Sequence, residues 1–174
     1  MEGDPRDFRG APAWSPDAES ILTAVNEAGK PRLFRVAVNT GAAVHVGDDY
    51  ALDPAWSPTG GFLVYSGMDI GTTFPLKSIT DTGQPHRIPE LTLIRGARRF
   101  RFLPGRDTLI VLRGDIEHKN LWAIDLRSGA ERQLTNFDRG VLSGDFDISP
   151  DGRDLVFERA QENSDVVLID LPIR

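Results

Sequence analysis

Ala13-Trp14-Ser15-Pro16-Asp17 is a short stretch that recurs three times further along this chain of 174 residues. It returns as Ala55-Trp56-Ser57-Pro58-Thr59, Arg101-Phe102-Leu103-Pro104-Gly105 and Asp147-Ile148-Ser149-Pro150-Asp151. The second residue of each copy is apolar, and a proline follows it two positions later, which gives the pairs Trp14 and Pro16, Trp56 and Pro58, Phe102 and Pro104, and Ile148 and Pro150. Copies that return after 42, 46 and 46 residues indicate a repeat architecture.

Two further markers keep the same spacing. Seven residues after the apolar centre of each copy stands another aliphatic residue: Ile21, Leu63, Leu109 and Leu155. A turn glycine recurs in the first three repeats, at Gly41, Gly83 and Gly129. Because all three markers stay in phase, we interpret them as parts of one repeating unit. The glycine of a fourth repeat would fall at or just beyond Arg174, so we expect that repeat to lack its outer strand.

Each repeat is predicted to form short antiparallel strands separated by turns. Apolar and β-branched runs alternate with clusters of Gly, Pro, Asn and Asp, and no helical periodicity is present. In the first repeat the strands are expected at 11–14, 21–25, 33–38 and 43–46. In the second they are expected at 53–56, 62–66, 76–80 and 86–88, and in the third at 98–102, 108–112, 121–126 and 132–135. The fourth repeat supplies 145–148, 155–158 and 166–171.

The fold class that follows is all-β. We predict a β-propeller of four repeats, each a four-stranded antiparallel blade, with the fourth blade lacking its outer strand. Blades of about 40–45 residues stack around an axis because each sheet has two apolar faces to bury. A flexible lead-in is expected at residues 1–10 and a single propeller domain at 11–174. Its blades are predicted at 11–47, 53–89, 97–136 and 144–171.

Charge and composition exclude several classes of function. The net charge is −6, so the chain lacks the basic surface that general nucleic-acid binding requires. The basic and aromatic run at 95–102 is therefore interpreted as a strand and not as a nucleic-acid contact. There is no cysteine, which excludes disulfides and thiolate metal sites. No apolar run reaches the length of a membrane span, so no membrane insertion is expected.

The repeat resembles that of TolB-type, WD-like bacterial propellers. Residues 12–17, 54–60 and 148–152 are similar to the family's Pro-x-Trp/Phe-Ser-Pro-Asp-Gly turn, and residues 121–126 and 132–135 look like its third and outer strands. The resemblance covers about residues 11–171 and implies a propeller. Because propellers of this family usually have six to eight blades, it also implies that the chain is the C-terminal half of a larger propeller.

Four charged residues form the predicted partner-binding site, at the mouth of the channel: Arg99, Arg101, Asp145 and Asp147. The first strand of a propeller blade lies nearest the central axis, and Arg101 and Asp147 hold equivalent places in adjacent repeats. We therefore predict that these two side chains form an interblade ion pair or line a polar funnel.

No catalytic, cofactor-binding or metal-binding residue is predicted, and the chain is interpreted as a non-enzyme. It contains no nucleophile elbow, no zinc-protease helix motif and no phosphate loop. His45 and His86 are expected at the surface on outer strands. Asp115, Glu117 and His118 have side chains that can bind a cation, but Lys119 is adjacent, and we interpret this segment as a solvated turn.

The expected function is a binding module or scaffold for a protein or peptide, as the resemblance implies. Two alternatives remain open: the accessory gating propeller of a prolyl-oligopeptidase-type hydrolase, and the sensor region of a bacterial kinase or transcription regulator. The last residues, Leu171 to Arg174, are expected to be a natural C-terminus, which disfavours a following hydrolase domain. The resemblance favours a periplasmic or extracytoplasmic location, although residues 1–10 lack the features of a signal peptide.

Four stacked blades, the last of them incomplete, would leave one strand edge and two apolar sheet faces exposed. Residues 1–10 are too polar and too rich in Gly and Pro to supply the missing strand. Three arrangements are open: a closed four-bladed ring, two copies in an eight-bladed ring, and pairing with missing blades of the natural protein. We expect assembly, either as a homodimer or with the missing blades, because large apolar faces are rarely exposed in a soluble monomer.

Overall fold

The computed structural model describes residues 7–47, 49–94, 100–114, 118–137 and 141–161. Within these residues it contains fourteen β-strands, which form antiparallel sheets in chain order. Each sheet is a meander in which consecutive strands are neighbours, as the repeat predicts. We number these sheets blade 1 to blade 4.

Three blades have four strands, and the described part of the fourth has two. Blade 1 contains β1 (Phe8–Trp14), β2 (Ser20–Glu27), β3 (Lys30–Ala37) and β4 (Ala43–His45). Blade 2 contains β5 (Leu52–Trp56), β6 (Phe62–Ser66), β7 (Thr73–Thr80) and β8 (Thr92–Ile94). Blade 3 contains β9 (Phe100–Phe102), β10 (Thr108–Gly114), β11 (Lys119–Asp125) and β12 (Glu131–Gln133). Blade 4 contains β13 (Val141–Ile148) and β14 (Leu155–Gln161). The strand expected at 166–171 lies outside the described residues.

The aliphatic residue seven positions after each apolar centre is its partner on the next strand. The pairs are Trp14 with Ile21, Trp56 with Leu63, Phe102 with Leu109, and Ile148 with Leu155. Residues directly opposite each other in an antiparallel pair point to the same face of the sheet. The two sequence markers therefore form one apolar row, which the turn between the first two strands keeps in register in every blade.

Apolar side chains from successive blades meet in three clusters. Leu22 and Leu63 belong to the cluster between blades 1 and 2, and Val64 and Leu109 to the cluster between blades 2 and 3. Ile110 of blade 3 shares the third cluster with residues of blade 4. All five side chains are at most 1% exposed, so each blade packs face to face on the next one along the chain.

The first strand begins earlier than predicted. Phe8 opens β1, so three residues that were expected in the flexible lead-in belong to the sheet. The backbone N–H of Asn26 donates to the carbonyl oxygen of Asp7 at 2.8 Å, and its side-chain amide donates to the Asp7 carboxylate at 3.0 Å. These two bonds fix the start of the strand against β2.

The outer strand of blade 2 is not where the repeat predicts it. The expected strand at 86–88 is wrong, since β8 lies at Thr92–Ile94 and blade 2 extends beyond residue 89. Pairing does begin as expected, with a single bridge between Ile79 and Pro85, but it is then interrupted. Pro89 lacks an N–H and so cannot continue a hydrogen-bonded ladder.

The described blades form an open arc. Trp14 at the start of the arc is 59% exposed, and Val156 in blade 4 is 66% exposed. Within the described residues, blades 1 and 4 do not bury these two side chains against each other.

Candidate functional site

The charged residues predicted on the innermost strands of blades 3 and 4 do meet. Arg101 on β9 places Nε 3.5 Å from Oδ1 of Asp147 on β13, which is the predicted interblade ion pair. The side chains of Arg101 and Asp147 are 34% and 61% exposed. An ion pair this accessible to water contributes only about 0–1 kcal/mol to stability. The fold therefore depends little on it.

Asp145 and Asp147 are oriented by their own strand. Asp145 accepts a hydrogen bond from the backbone N–H of Phe146 at 2.9 Å, and Asp147 accepts one from Ile148 at 3.0 Å. The pairing of β13 with β14 shifts between Ser143 and Phe146, which is a β-bulge at the inner edge of the blade. Arg99, the fourth predicted site residue, lies outside the described residues.

A further inner-strand carboxylate was not predicted. Asp53 on β5 holds the place in blade 2 that Asp145 holds in blade 4, and its backbone adopts a φ of 48°. Its carboxylate accepts a hydrogen bond from the backbone N–H of Ala11 at 2.9 Å and so ties the inner strands of blades 1 and 2 together. The sequence does contain a signal for this residue, because Asp53 stands at the same place in its repeat as Asp145 does two repeats later.

A second polar cluster joins blades 2 and 3. Oδ1 of Asp107, in the turn before β10, accepts hydrogen bonds from the hydroxyls of Ser57 at 2.5 Å and Thr59 at 2.6 Å. Oδ2 accepts one from Nε of Arg127 at 3.0 Å. Burial by itself would raise the pKa of Asp107, but the three hydrogen bonds and the Arg127 charge outweigh it and hold the pKa below its usual value.

This cluster takes the place of a bond that the turns of blades 1 and 4 make within themselves. In blade 1 the Ser15 hydroxyl donates to Asp17 at 2.5 Å, and in blade 4 the Ser149 hydroxyl donates to Asp151 at 2.6 Å. Blade 2 has Thr59 where those turns have the aspartate. The carboxylate comes instead from the next blade, where Asp107 is only 6% exposed.

The interrupted outer strand of blade 2 makes a bulge of four residues, 87–90, opposite the single residue Lys77. His86 N–H donates to the Ser78 carbonyl oxygen at 3.1 Å before the bulge, and the Leu91 carbonyl oxygen accepts from Leu76 N–H at 2.9 Å after it. The bulge borders an open groove of about 980 Å³ between blades 2 and 3. Both basic and acidic side chains line the groove: Arg87, Arg127, Glu90 and Asp107.

The histidines are engaged in packing and backbone contacts. The ring of His45 meets Phe34 edge-on at 5.2 Å between centroids, and His86 stacks on Phe62 at 4.3 Å. His118 is half-buried rather than in a solvated turn, and its Nε2 lies 2.6 Å from the carbonyl oxygen of Phe137. Asp115 and Glu117 lie outside the described residues.

Among the residues that are described, no group of three acidic or histidine side chains is placed to hold a metal ion. The same residues contain no helix that is long and apolar enough to span a membrane.

Comparison with known proteins identifies the fold. No protein-family model and no curated protein matches the chain. The solved structure of TolB from Acinetobacter baumannii is similar, with a TM-score of 0.61 and 17% identity over 89% of this chain and 44% of that one. A TolB-type protein from Agrobacterium tumefaciens gives a TM-score of 0.60 and 22% identity over 88% of this chain and 54% of that one. A prolyl endopeptidase gives 0.53 and 16% over 91% of this chain and 25% of that one.

These likenesses show an all-β, TolB-like propeller fold. The chain spans about half the length of the two TolB-type proteins. At these identities the similarity is one of fold, so the function has to be argued from the residues of this chain.

Proposed function

We propose that this chain is a non-catalytic module that binds a protein or peptide partner at the inner edge of blades 3 and 4. The observation that carries the proposal is the accessible set of charges on two adjacent inner strands, Arg101, Asp145 and Asp147. At the places of Arg101 and Asp147, blades 1 and 2 have Ala13 and Ala55. At these two places the charge is therefore confined to blades 3 and 4, while the inner strand of blade 2 carries its own carboxylate, Asp53.

The energetics favour recognition over stability as the role of these charges. An accessible ion pair adds little to the free energy of unfolding, whereas charges on a binding surface select partners and raise association rates. The described inner edge of blades 3 and 4 has two carboxylates and one guanidinium, so a basic or mixed-charge segment is the complementary ligand. The proposal includes no catalytic step, in keeping with histidines that contact aromatic rings and a backbone carbonyl oxygen.

The test measures peptide binding by fluorescence anisotropy with labelled lysine-rich and glutamate-rich peptides. We expect Asp147→Arg to weaken binding of the lysine-rich peptide by about tenfold and Arg101→Glu to strengthen it, since each changes the local charge by two units. The double variant keeps an ion pair and should bind close to wild type.

Matched controls place the same charge changes elsewhere. Arg153→Glu and Asp154→Arg lie in the turn before β14, and both side chains are exposed. They should leave peptide affinity unchanged. If the inner-edge variants and these controls affect affinity equally, the inner edge is not the binding site.

A second candidate function is favoured by the likeness to a prolyl endopeptidase. Here the chain would be the accessory gating propeller of a prolyl-oligopeptidase-type hydrolase. The sensor region of a bacterial kinase or transcription regulator is the other alternative, which this likeness does not itself favour. The reading frame that encodes the natural protein distinguishes the two, because an adjoining α/β-hydrolase domain supports the first and a kinase or DNA-binding domain supports the second.

A further inference from the structure

The groove between blades 2 and 3 is shaped by a departure from the repeat. Residues 87–90 bulge out of blade 2, and Pro89 reaches the turn of blade 3, where a Cβ on Gly129 would lie 3.6 Å from the Pro89 Cγ. In blade 2 the equivalent turn packs on backbone that leaves blade 1, since a Cβ on Gly83 would lie 3.1 Å from the nitrogen of Gly47. The turn of blade 3 meets the bulge instead, and an open groove lies beside this contact.

The groove lies inside the arc and not at one of its ends. Apolar clusters join blade 2 to blade 1, blade 2 to blade 3, and blade 3 to blade 4. Both blades that form the groove therefore have a neighbour on either side. The segments that line it, 59–62, 86–90, 126–129 and Asp107, all belong to the described residues.

Arg127 stands on the blade 3 side of the groove and is fixed at its base. The Asp125 carboxylate accepts hydrogen bonds from the backbone N–H groups of Arg127 at 3.1 Å and Ser128 at 2.7 Å, which sets the turn. Oδ2 of the buried Asp107 accepts from Nε at 3.0 Å. The side chain is 76% exposed beyond this bond, so the N–H groups on its Nη atoms are accessible to a ligand.

The cation at this place is particular to blade 3. In the same turn, blades 1 and 2 have Asn39 and Asp81 where blade 3 has Arg127. The carboxylate that holds Arg127 is held in turn by the hydroxyls from blade 2 described above. A guanidinium with a fixed base has less conformational freedom to lose when it binds, which favours binding.

The bulge supplies the opposite side of the groove. Arg87 and Glu90 are both exposed, and within the described residues neither side chain has an ion pair. Next to Arg87, the exposed ring of His86 lies nearly parallel to Phe62, with an interplanar angle of 10°. The bulge therefore presents a second guanidinium, one carboxylate and a ring that packing holds flat.

The accessible charges of the groove favour an anionic ligand. Arg87 and Arg127 are available, whereas both oxygens of Asp107 are already bonded, which leaves Glu90 as the accessible anion. A carboxylate suits these cations, because a guanidinium can donate two parallel hydrogen bonds to it. Small-molecule sites enclose most of their ligand, so an open groove is better suited to a peptide segment.

We propose that the groove between blades 2 and 3 binds an acidic peptide segment, with one carboxylate on Arg127 and the segment passing Arg87 on the bulge. This site shares no residue with the inner edge of blades 3 and 4. It therefore does not depend on the function proposed above, and it accepts a ligand of the opposite charge.

The test is fluorescence anisotropy with the labelled glutamate-rich peptide at low salt. We expect Arg87→Glu to weaken binding by about tenfold, because it changes the local charge by two units. Glu90→Gln should strengthen binding by about twofold, because it removes a like charge. Both side chains are exposed, so urea unfolding should show an unchanged fold. Neither variant should change the affinity of the lysine-rich peptide by more than about twofold, which separates this site from the inner edge.

Arg127 is tested by substitutions that keep or remove its charge. Arg127→Gln should weaken binding of the glutamate-rich peptide by about tenfold, and Arg127→Lys should lose less, because it keeps the charge without the planar fork. Both remove the bond from Nε to Asp107 and can lower stability, so their affinities are compared at a temperature where urea unfolding shows them folded. Equal affinities of the wild type and Arg127→Gln would contradict the proposal.

A matched control makes the same charge change in the neighbouring groove. Arg106 directly precedes Asp107 in the chain, but it is exposed and lines the groove between blades 3 and 4. Arg106→Glu should leave the affinity for the glutamate-rich peptide within about twofold of wild type. The proposal is overturned if the wild type does not bind this peptide, or if Arg106→Glu weakens binding as much as Arg87→Glu does.

Discussion

At the residue scale, Asp107 shows how one blade completes another. Thr59 stands where two of the other turns have an aspartate that accepts from the turn serine. Asp107 reaches across from blade 3 and accepts from both Ser57 and Thr59. The neutral side chain of Thr59 and the buried carboxylate of Asp107, far apart in the sequence, thus belong to one hydrogen-bonded unit.

Stability should depend on pH through Asp107. Its folded-state pKa is lowered, so its contribution is fully present above the ordinary value of 3.8 and is lost as pH falls through the lower folded-state pKa. Asp107→Asn should reduce the free energy of unfolding by about 2–3 kcal/mol at neutral pH. The difference from wild type in urea unfolding should shrink as the pH falls below 3.8. A difference that is constant with pH would contradict this account.

Restoring the repeat consensus at position 59 should be harmful. Thr59→Asp gives blade 2 the turn of blades 1 and 4, but it places a second carboxylate beside Asp107. Repulsion between the two should lower the free energy of unfolding by roughly 1–2 kcal/mol. Adding Asp107→Asn should recover part of the loss, which a double-mutant cycle by thermal unfolding detects. Stabilisation by Thr59→Asp alone would show that Asp107 does not fill this role.

At the element scale, equivalent turns differ in what surrounds them. Gly41 and Gly83 close the turn between the third and outer strands of blades 1 and 2, with φ of 68° and 84°. A Cβ at Gly41 would meet nothing within 4 Å, whereas a Cβ at Gly83 would lie 3.1 Å from the backbone nitrogen of Gly47. The turn of blade 2 therefore packs closely on the chain that leaves blade 1.

Alanine at these two glycines should separate backbone strain from close packing. Gly41→Ala should cost roughly 1–2 kcal/mol, because alanine disfavours positive φ. Gly83→Ala should cost about 1 kcal/mol more, because Gly47 must also shift. Urea unfolding of the two variants measures the difference. Equal losses would mean that the approach between the blades is relaxed without cost.

At the scale of the whole molecule, the arc has two unlike ends. Blade 1 ends in an apolar face with Trp14 and Phe8 exposed, and blade 4 ends in a face with carboxylates around Val156. The eight-bladed ring of two copies requires these ends to match. In the described residues the two ends differ in chemistry, and the charges of blades 3 and 4 stay accessible to a ligand.

The sequence predicted the blades well because their signals are local. The apolar centre and its aliphatic partner seven residues later, such as Trp14 and Ile21, sit on adjacent strands joined by one turn. The ion pair of Arg101 and Asp147 also followed from the spacing, since equivalent places in adjacent blades are neighbours. The spacing gave the wrong position for β8. Residues 87–90, which include Pro89, bulge out of the sheet opposite a single residue, so pairing resumes with its register shifted by three residues.

By itself the sequence determined the number of repeats, the strand order within each blade and the register of the apolar row, because short turns leave few ways to pair consecutive strands. Only the tertiary structure decided that Asp107 accepts hydrogen bonds from the turn of blade 2 and that Asp53 ties the inner strands of blades 1 and 2 together. These features depend on contacts between residues many positions apart. A period shows which positions are equivalent, but packing decides what each of them touches.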